Sequence, residues 1–156
     1  MTDAAPGAPG LLLDTDHLDF LTSGEGVERD RLLARLATAA PVAWAASTVS
    51  FEEQVRGALG LLKGRKPNAN LMRGYELLET YRRFYGSIPV LPFDAAAAAE
   101  FDRLDADAGS RRVGTNDLRI AAVALAHDLT LLTRNAKDFA RVPGLRFEDW
   151  TAPAAP

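Results

Sequence analysis

Three acidic residues stand at separated places where a carboxylate needs a reason to be. Asp14 directly follows the apolar run Leu11-Leu12-Leu13. Glu53 lies near the start of a helical segment. Asp117 opens another, in Gly114-Thr115-Asn116-Asp117-Leu118-Arg119-Ile120-Ala121-Ala122. A charge placed straight after three buried leucines costs free energy unless it is paired or used. The carboxyl end of a buried strand is where parallel α/β sheets bind ligands. Several carboxylates gathered there repel one another unless a hard divalent cation neutralises them. The chemistry expected of such a cluster is Mg²⁺- or Mn²⁺-dependent hydrolysis of a phosphodiester, as in a small ribonuclease.

Each acid also has a structural role open to it. Ser50-Phe51-Glu52-Glu53 reads as a capping box, in which Glu53 returns a hydrogen bond to the backbone of Ser50. The residues alone favour that box slightly, because Glu53 points away from the Phe51, Val55 and Leu59 face. Asp117 sits in a first helical turn, where the dipole favours an anion. It also shares a face with Ile120, Ala121 and Ala124. That face should pack on the sheet and turn the carboxylate toward Asp14. Asp16 is either an accessory to the site or, like Thr15, a helix cap. Asn135 and Asp138, in Leu132-Thr133-Arg134-Asn135-Ala136-Lys137-Asp138-Phe139, are candidates for a fourth position, although an amide is a weaker ligand than a carboxylate. Arg111, Arg112, Arg134 and Lys137 fall on loops that could flank the same edge and steer a phosphate backbone. A solvated loop is the other reading of each. His17 and His127 share no metal-ligand spacing and read as packing or helix-end residues. Walker-type phosphate loops, dinucleotide fingerprints and Gly-x-Ser-x-Gly elbows do not occur.

The elements that must position these residues follow from periodicity and punctuation. Strands are expected at Leu11–Asp14, Val42–Ser47, Ile88–Leu91, Thr130–Thr133 and Leu145–Glu148, with Pro89 placing the third near an edge or making it start late. Helical spacing covers Thr15–Leu21, Val27–Ala40, Ser50–Leu62 and Ala69–Tyr85. Asp94 caps an Ala-rich helix running to Asp107, and Thr115 caps the next, to His127. Gly109–Gly114 is a basic loop between them. Strands alternating with helices imply βαβ units and a parallel sheet with right-handed crossovers. Met1–Gly10 reads as a flexible leader and Thr151–Pro156 as a flexible tail around one domain, 11–150.

At 156 residues the chain can bury one sizeable core. Its 47% hydrophobic and 25% charged content is ordinary for a globular protein. The net charge of −3 argues against a protein that coats nucleic acid by bulk electrostatics. It leaves a nuclease open, since a bound cation supplies its own positive charge. The absence of cysteine excludes disulfides and thiolate metal sites and fits a reducing cytoplasm. No apolar run approaches the roughly 20 residues of a membrane span. The first ten residues lack the basic start and apolar stretch of a signal peptide.

Four segments in order resemble the PIN-domain family, specifically its VapC-like toxins. They are Leu-Leu-Asp-Thr-Asp-His-Leu at 12–18, Glu-Glu-Gln-Val-Arg-Gly at 52–57, Gly-Thr-Asn-Asp-Leu-Arg-Ile-Ala-Ala at 114–122 and Leu-Leu-Thr-Arg-Asn-Ala-Lys-Asp-Phe at 131–139. The closing stretch, Val142-Pro143-Gly144-Leu145 to Asp149-Trp150, is similar too. The resemblance implies a three-layer α/β/α sandwich around a parallel sheet of four or five strands. It implies a divalent-metal endoribonuclease in which Asp14 and Asp117 bind the ion and Glu53 binds it or orients its water. This tilts Glu53 toward the site. Asn135 falls where many members carry a fourth acid. Implied partners are an RNA, with tRNA a plausible class, a cognate antitoxin and a second copy of the chain. The helices at Val27–Ala40 and Ala69–Tyr85 could supply apolar surface for both proteins.

Two other readings compete. The first is a haloacid-dehalogenase-like phosphatase, whose apolar strand also ends in Asp-x-Asp, as Asp14 and Asp16 do. It needs a later lysine and acidic pair that Lys137 and the Asp117 segment do not form. The second is a catalytically inactive docking module, favoured only by Asn135.

Overall fold

The computed structural model describes residues 10–153. The expected leader, apart from Gly10, and the last three residues of the expected tail lie outside them.

In chain order the elements are β1 (Leu11–Leu13), α1 (Thr15–Ser23), α2 (Val27–Thr38), β2 (Trp44–Ser47), α3 (Thr48–Leu62), α4 (Asn68–Tyr85), β3 (Val90–Leu91), α5 (Ala95–Ala106), a single 3₁₀ turn at Ser110–Arg112, α6 (Thr115–Ala126), β4 (Thr130–Leu132), α7 (Ala136–Phe139) and β5 (Arg146–Glu148). The strands pair in parallel in the order β3-β2-β1-β4-β5. Because side chains alternate across a strand, β1 feeds two cores. Leu12 joins Leu104, Leu118, Ile120 and Phe139 on one face. Leu11 and Leu13 join Leu18, Leu32, Ala58 and Tyr81 on the other. Leu131 and Leu132 of β4 divide the same way. The result is the expected three-layer α/β/α sandwich.

The order of the strands positions the site. From central β1 the chain builds β2 and β3 on one side, then crosses to β4 and β5 on the other. The crevice beyond the carboxyl ends of β1 and β4 is therefore the switch point where ligands bind in open α/β sheets. Asp14 is anchored there, its N–H donating to the carbonyl of Leu132 at 3.0 Å.

Four local expectations are corrected. Helix α3 starts at Thr48, and its cap is Ser47, whose side chain accepts from the N–H of Ser50. Glu53 is therefore not the return arm of a Ser50 capping box. Helix α6 begins at Thr115 itself, with Gly114 before it and no side-chain cap. Helix α1 is capped neither by Thr15 nor by Asp16 but by Asp14, through Oδ1 and the N–H of His17. Strand β3 keeps only Val90 and Leu91, on the sheet's edge. Pro89 lacks an N–H to donate, but its carbonyl still accepts from Ala46 at 3.0 Å.

A buried amide braces the side of the sandwich that carries α1. Gln54 donates to Asp19 Oδ1 at 2.6 Å and accepts from the Tyr85 hydroxyl at 2.7 Å, tying α1, α3 and α4 together. Burial, with Asp19 next in weight, pushes the Tyr85 phenol above its ordinary range. It therefore stays a donor.

Candidate active site

Asp14, Thr15, Asp16, Glu53, Asp117 and Asn135 line one cavity of about 270 Å³ at the switch point. Three elements deliver the carboxylates: the β1–α1 junction, the second turn of α3, and the first turn of α6. Asp14 is 5% exposed, held by the apolar strand before it. Glu53 reaches the site because α3 leaves the sheet directly after β2.

The hydrogen bonds divide these carboxylates into two kinds. Glu53 has both oxygens engaged. Oε2 accepts from the Thr15 hydroxyl, and Oε1 accepts from Asn116 Nδ2 at 2.9 Å. Asp14 is held only at Oδ1, by the His17 N–H at 2.9 Å and the His17 ring, whose Nδ1 lies 3.2 Å away. Asp117 is held only at Oδ2, by Asn135 Nδ2 at 3.2 Å. Among the described residues, Asp14 Oδ2 and Asp117 Oδ1 have no protein donor. Two aspartates thus keep one oxygen for the scaffold and leave one open to the cavity.

Electrostatics follow from this crowding. The Asp117 carboxyl is pushed up to about 6, by burial first and then by Glu53. The Asn135 amide acts against the shift, while Asp14 and Asp138 add to it. Asp16 stands at the mouth and is raised as well, by partial burial and then by Asp14, with Arg134 opposing. The structure thus places an excess of negative charge at a switch point and supplies little protein cation to match it.

The donors suit a hard cation: they are oxygens, and among the described residues only carboxylates, an amide and a hydroxyl face the cavity. As they stand, no three His, Asp or Glu side chains among the described residues are gathered to hold an ion. Each Glu53 oxygen already accepts from a neighbour, Thr15 or Asn116. Among the described residues, Asp14 and Asp117 each keep one oxygen free of a protein donor, and Asp16, which also lines the cavity, keeps both. Mg²⁺ accepts such a sparse set, since it keeps several of its waters.

The other sequence candidates separate clearly. Asn135 lines the cavity and bridges Asp117 to Asp138, donating to Asp138 Oδ2 at 3.0 Å. Asp138 therefore stands one hydrogen bond behind the cavity. Arg134 is exposed, with its guanidinium carbon 5.3 Å from the Phe20 ring centre, on the Asp16 side. Arg111 instead donates to the carbonyl of Asp105 at 2.6 Å. Neither it nor Arg112 nor Lys137 lines the cavity. Thr15, Asn116 and His17 were not assigned site contacts by sequence reasoning. Arg56 was missed too: it lines a second hollow that shares Glu53 and Asp117 with the first. Asn116 sits beside Asp117 in the sequence, and that adjacency is the one local signal that could have found it. His127, in contrast, closes the end of α6, with Nε2 3.7 Å from Asp94 Oδ2.

Comparison with known proteins agrees with this geometry. The PIN domain family model matches residues 12–145. The chain is 36% identical over 107 residues to the tRNA(fMet)-specific endonuclease VapC of Shigella flexneri, covering 67% of this chain and 74% of that protein. The like-named protein of Salmonella typhimurium is 35% identical over 106 residues, covering 67% and 73%. Among solved structures, the DNA-bound VapBC of Salmonella typhimurium superimposes with a TM-score of 0.70 at 26% identity, over 92% of this chain and 99% of that one. VapBC-1 of nontypeable Haemophilus influenzae gives 0.72 at 21% identity, over 91% and 98%, a likeness of fold. With the sheet order, the switch-point carboxylates and these matches in agreement, the chain is a PIN-domain protein of the VapC family.

Proposed function

We propose that this chain is a divalent-metal-dependent endoribonuclease and the toxin of a toxin–antitoxin pair. The observation that carries the reading is the convergence of Asp14, Glu53 and Asp117 on one cavity beyond the carboxyl ends of β1 and β4. The names of the Shigella and Salmonella relatives support an RNA substrate of the tRNA class. The likeness to VapBC-5 of Mycobacterium tuberculosis, a member of the VapBC family of toxin-antitoxin systems, supports an antitoxin partner.

Asp14 and Asp117 are the residues that would hold Mg²⁺ or Mn²⁺. Such an ion supplies a Lewis acid for a phosphate oxygen and an acidified water. Asp14 and Asp117 set where the scissile phosphate lies. Glu53, fixed from both sides by Thr15 and Asn116, orients the attacking water. Attack at phosphorus breaks the bond to a ribose oxygen. Arg134 at one rim and Arg56 at the other supply cations for the flanking phosphates. Homodimer and antitoxin contacts draw on the outward apolar residues Val27 and Leu33 of α2 and Met72 and Tyr75 of α4, all exposed. Among the described residues no helix is long and apolar enough to cross a membrane.

The direct test is cleavage of a labelled RNA pool by antitoxin-free protein with Mg²⁺, Mn²⁺ or EDTA, beside Asp14→Asn. Internal cuts that need metal and vanish in the variant are expected. No cuts with any metal would leave the phosphatase or the docking module, and a generic phosphate monoester would then separate those two.

Asn135 gives a second expectation. Asn135→Asp removes the donor to Asp117 and Asp138 and adds a fifth carboxylate to the cavity lining. Without metal the protein should melt lower. With metal it should bind Mn²⁺ about tenfold more tightly, since affinity rises with ligand charge. Unchanged Mn²⁺ affinity in a titration would show that position 135 does not face the ion.

A further inference from the structure

His17 lies directly behind Asp14, and its ring is fully buried. Its two nitrogens have different partners. Nδ1 is 3.2 Å from Asp14 Oδ1, while the N–H of Trp150 points at Nε2 from 3.4 Å. A carboxylate oxygen needs a donor, and a backbone N–H needs an acceptor. One neutral tautomer satisfies both, with the hydrogen on Nδ1 and the lone pair on Nε2. Asp149 Oδ1 is also near, at 3.7 Å. It is already taken by the N–H and hydroxyl of Thr151, at 2.9 and 2.6 Å.

The segment that grips the ring is itself clamped. Arg35 donates to the carbonyl of Asp149 at 3.1 Å, and Arg31 to that of Thr151 at 3.3 Å. Thr151 is 2% exposed, so this part of the expected tail is docked onto α2. The segment lies beyond the residues that the family model matches, which end at 145.

We infer that His17 is a positioning residue for the metal-binding carboxylate of Asp14, and that the Asp149–Thr151 segment holds its ring in place. The inference rests on the metal-dependent reading above. Two donors on Oδ1, the His17 N–H and the His17 ring, stop the carboxylate from rotating. Oδ2 is then presented to the cavity in one orientation. Hydrogen bonds of this kind behind a ligating carboxylate raise metal affinity. A ring serving only as packing would need no particular tautomer and no polar partner.

Leucine and asparagine separate positioning from packing. His17→Leu keeps the volume but neither donates nor accepts. His17→Asn puts an amide N–H where the ring Nδ1–H stands and gives up only the contact to Trp150. The full-length chain, free of RNA, is titrated with Mn²⁺ and the free ion is followed by electron paramagnetic resonance. His17→Leu should weaken Mn²⁺ about 10- to 100-fold, and His17→Asn should recover most of that. On RNA, kcat should fall in His17→Leu while KM stays. In the wild type, ¹⁵N shifts should show His17 protonated at Nδ1 and bare at Nε2. A folded His17→Leu protein with wild-type Mn²⁺ affinity overturns the inference. The opposite tautomer overturns it as well, and that measurement decides the matter even where His17→Leu fails to fold. Wild-type protein that binds no Mn²⁺ overturns the metal reading and this one together.

Discussion

Asp117→Asn should cut RNA cleavage about a thousandfold or more, a loss on the order of 4 kcal/mol from the transition state. The same change should make the metal-free protein more stable at neutral pH. Both effects come from one geometry. Asparagine has the size of aspartate, and its carbonyl oxygen can keep the contact with Asn135 Nδ2 that Oδ2 now makes. Its amide then replaces Oδ1, the oxygen open to the cavity. That puts an N–H donor among Asp14 and Glu53, where an anion now stands. A cation loses a charged ligand and meets a donor, while the crowded acids gain one. The stabilising half follows from the Asp117 carboxyl being pushed up to about 6 by burial and by Glu53. With solvent screening of this partly exposed group allowed for, it is worth roughly 1–2 kcal/mol at pH 7, or about 2–8 °C in Tm for a domain of this size. Thermal melts in EDTA and single-turnover cleavage read the two halves separately. Cleavage at the wild-type rate would remove Asp117 from the site. A lower Tm in EDTA would remove the repulsion argument.

What the sequence could convey about this site depended on how local each signal was. Asp14 was legible because its neighbours are three leucines, and burial on both faces of a central strand leaves such a run no other reading. Asp117 was legible because a helix face can be counted, and the Ile120, Ala121 and Ala124 face does pack inward, all three fully buried. Glu53 was not. Strand β2 runs into α3 without a break, and Ser47 and Ser50 are equally good caps by type. The Ser50 box and the real Ser47 cap differ only in where the helix starts. The contacts that place Glu53 come from Thr15 and Asn116, on elements far away in sequence, and no periodicity encodes them. The same limit applies to cations. Arg111 and Arg112 looked favourable because a basic loop is conspicuous, yet their loop turns away as a 3₁₀ turn held by Asp107 and Ser110. Arg56 carries no signal of its own in the sequence; it pairs with Glu52 on the surface of α3, and only the packing of α3 against α6 brings it beside the site. The parallel sheet was read more fully than the site, because it follows from strands alternating with helices; the three layers were implied by the family resemblance, and the strand order emerged only in the structure. Strand ends were less legible, as Pro89 shows by trimming β3 to two residues.

In the absence of metal, the wild type should lose stability relative to Asp117→Asn as pH rises from about 4 to about 6, and adding Mn²⁺ or Mg²⁺ should reverse that loss. The sign follows from proton counting. The folded-state Asp117 carboxyl titrates at about 6, and an unfolded aspartate near 3.9. Between those values the folded state binds more protons, so stability falls as pH rises. Below the lower value both states are protonated and the penalty is absent. Other groups act in both directions, which is why the difference between wild type and variant matters. Asp16 and Asp19 are also raised, chiefly by burial. Glu79 is held down to about 2 by Arg82 and Arg83, and contributes stability that is lost on acidification. These cancel in the comparison, since neither change touches them. A cation that binds only the folded state stabilises it by about 2.7 kcal/mol at a hundred times its dissociation constant. Near pH 7.5 that is about 5–11 °C in Tm, and near pH 4 it should vanish as protons displace the ion. Asp117→Asn should show little of this shift at either pH. Melting curves at the two pH values, with EDTA and with Mn²⁺, contain the whole test. A wild type whose Tm ignores metal at pH 7.5 would leave the acidic cavity without its neutralising ion. A variant that responds as strongly as the wild type would place that ion away from Asp117.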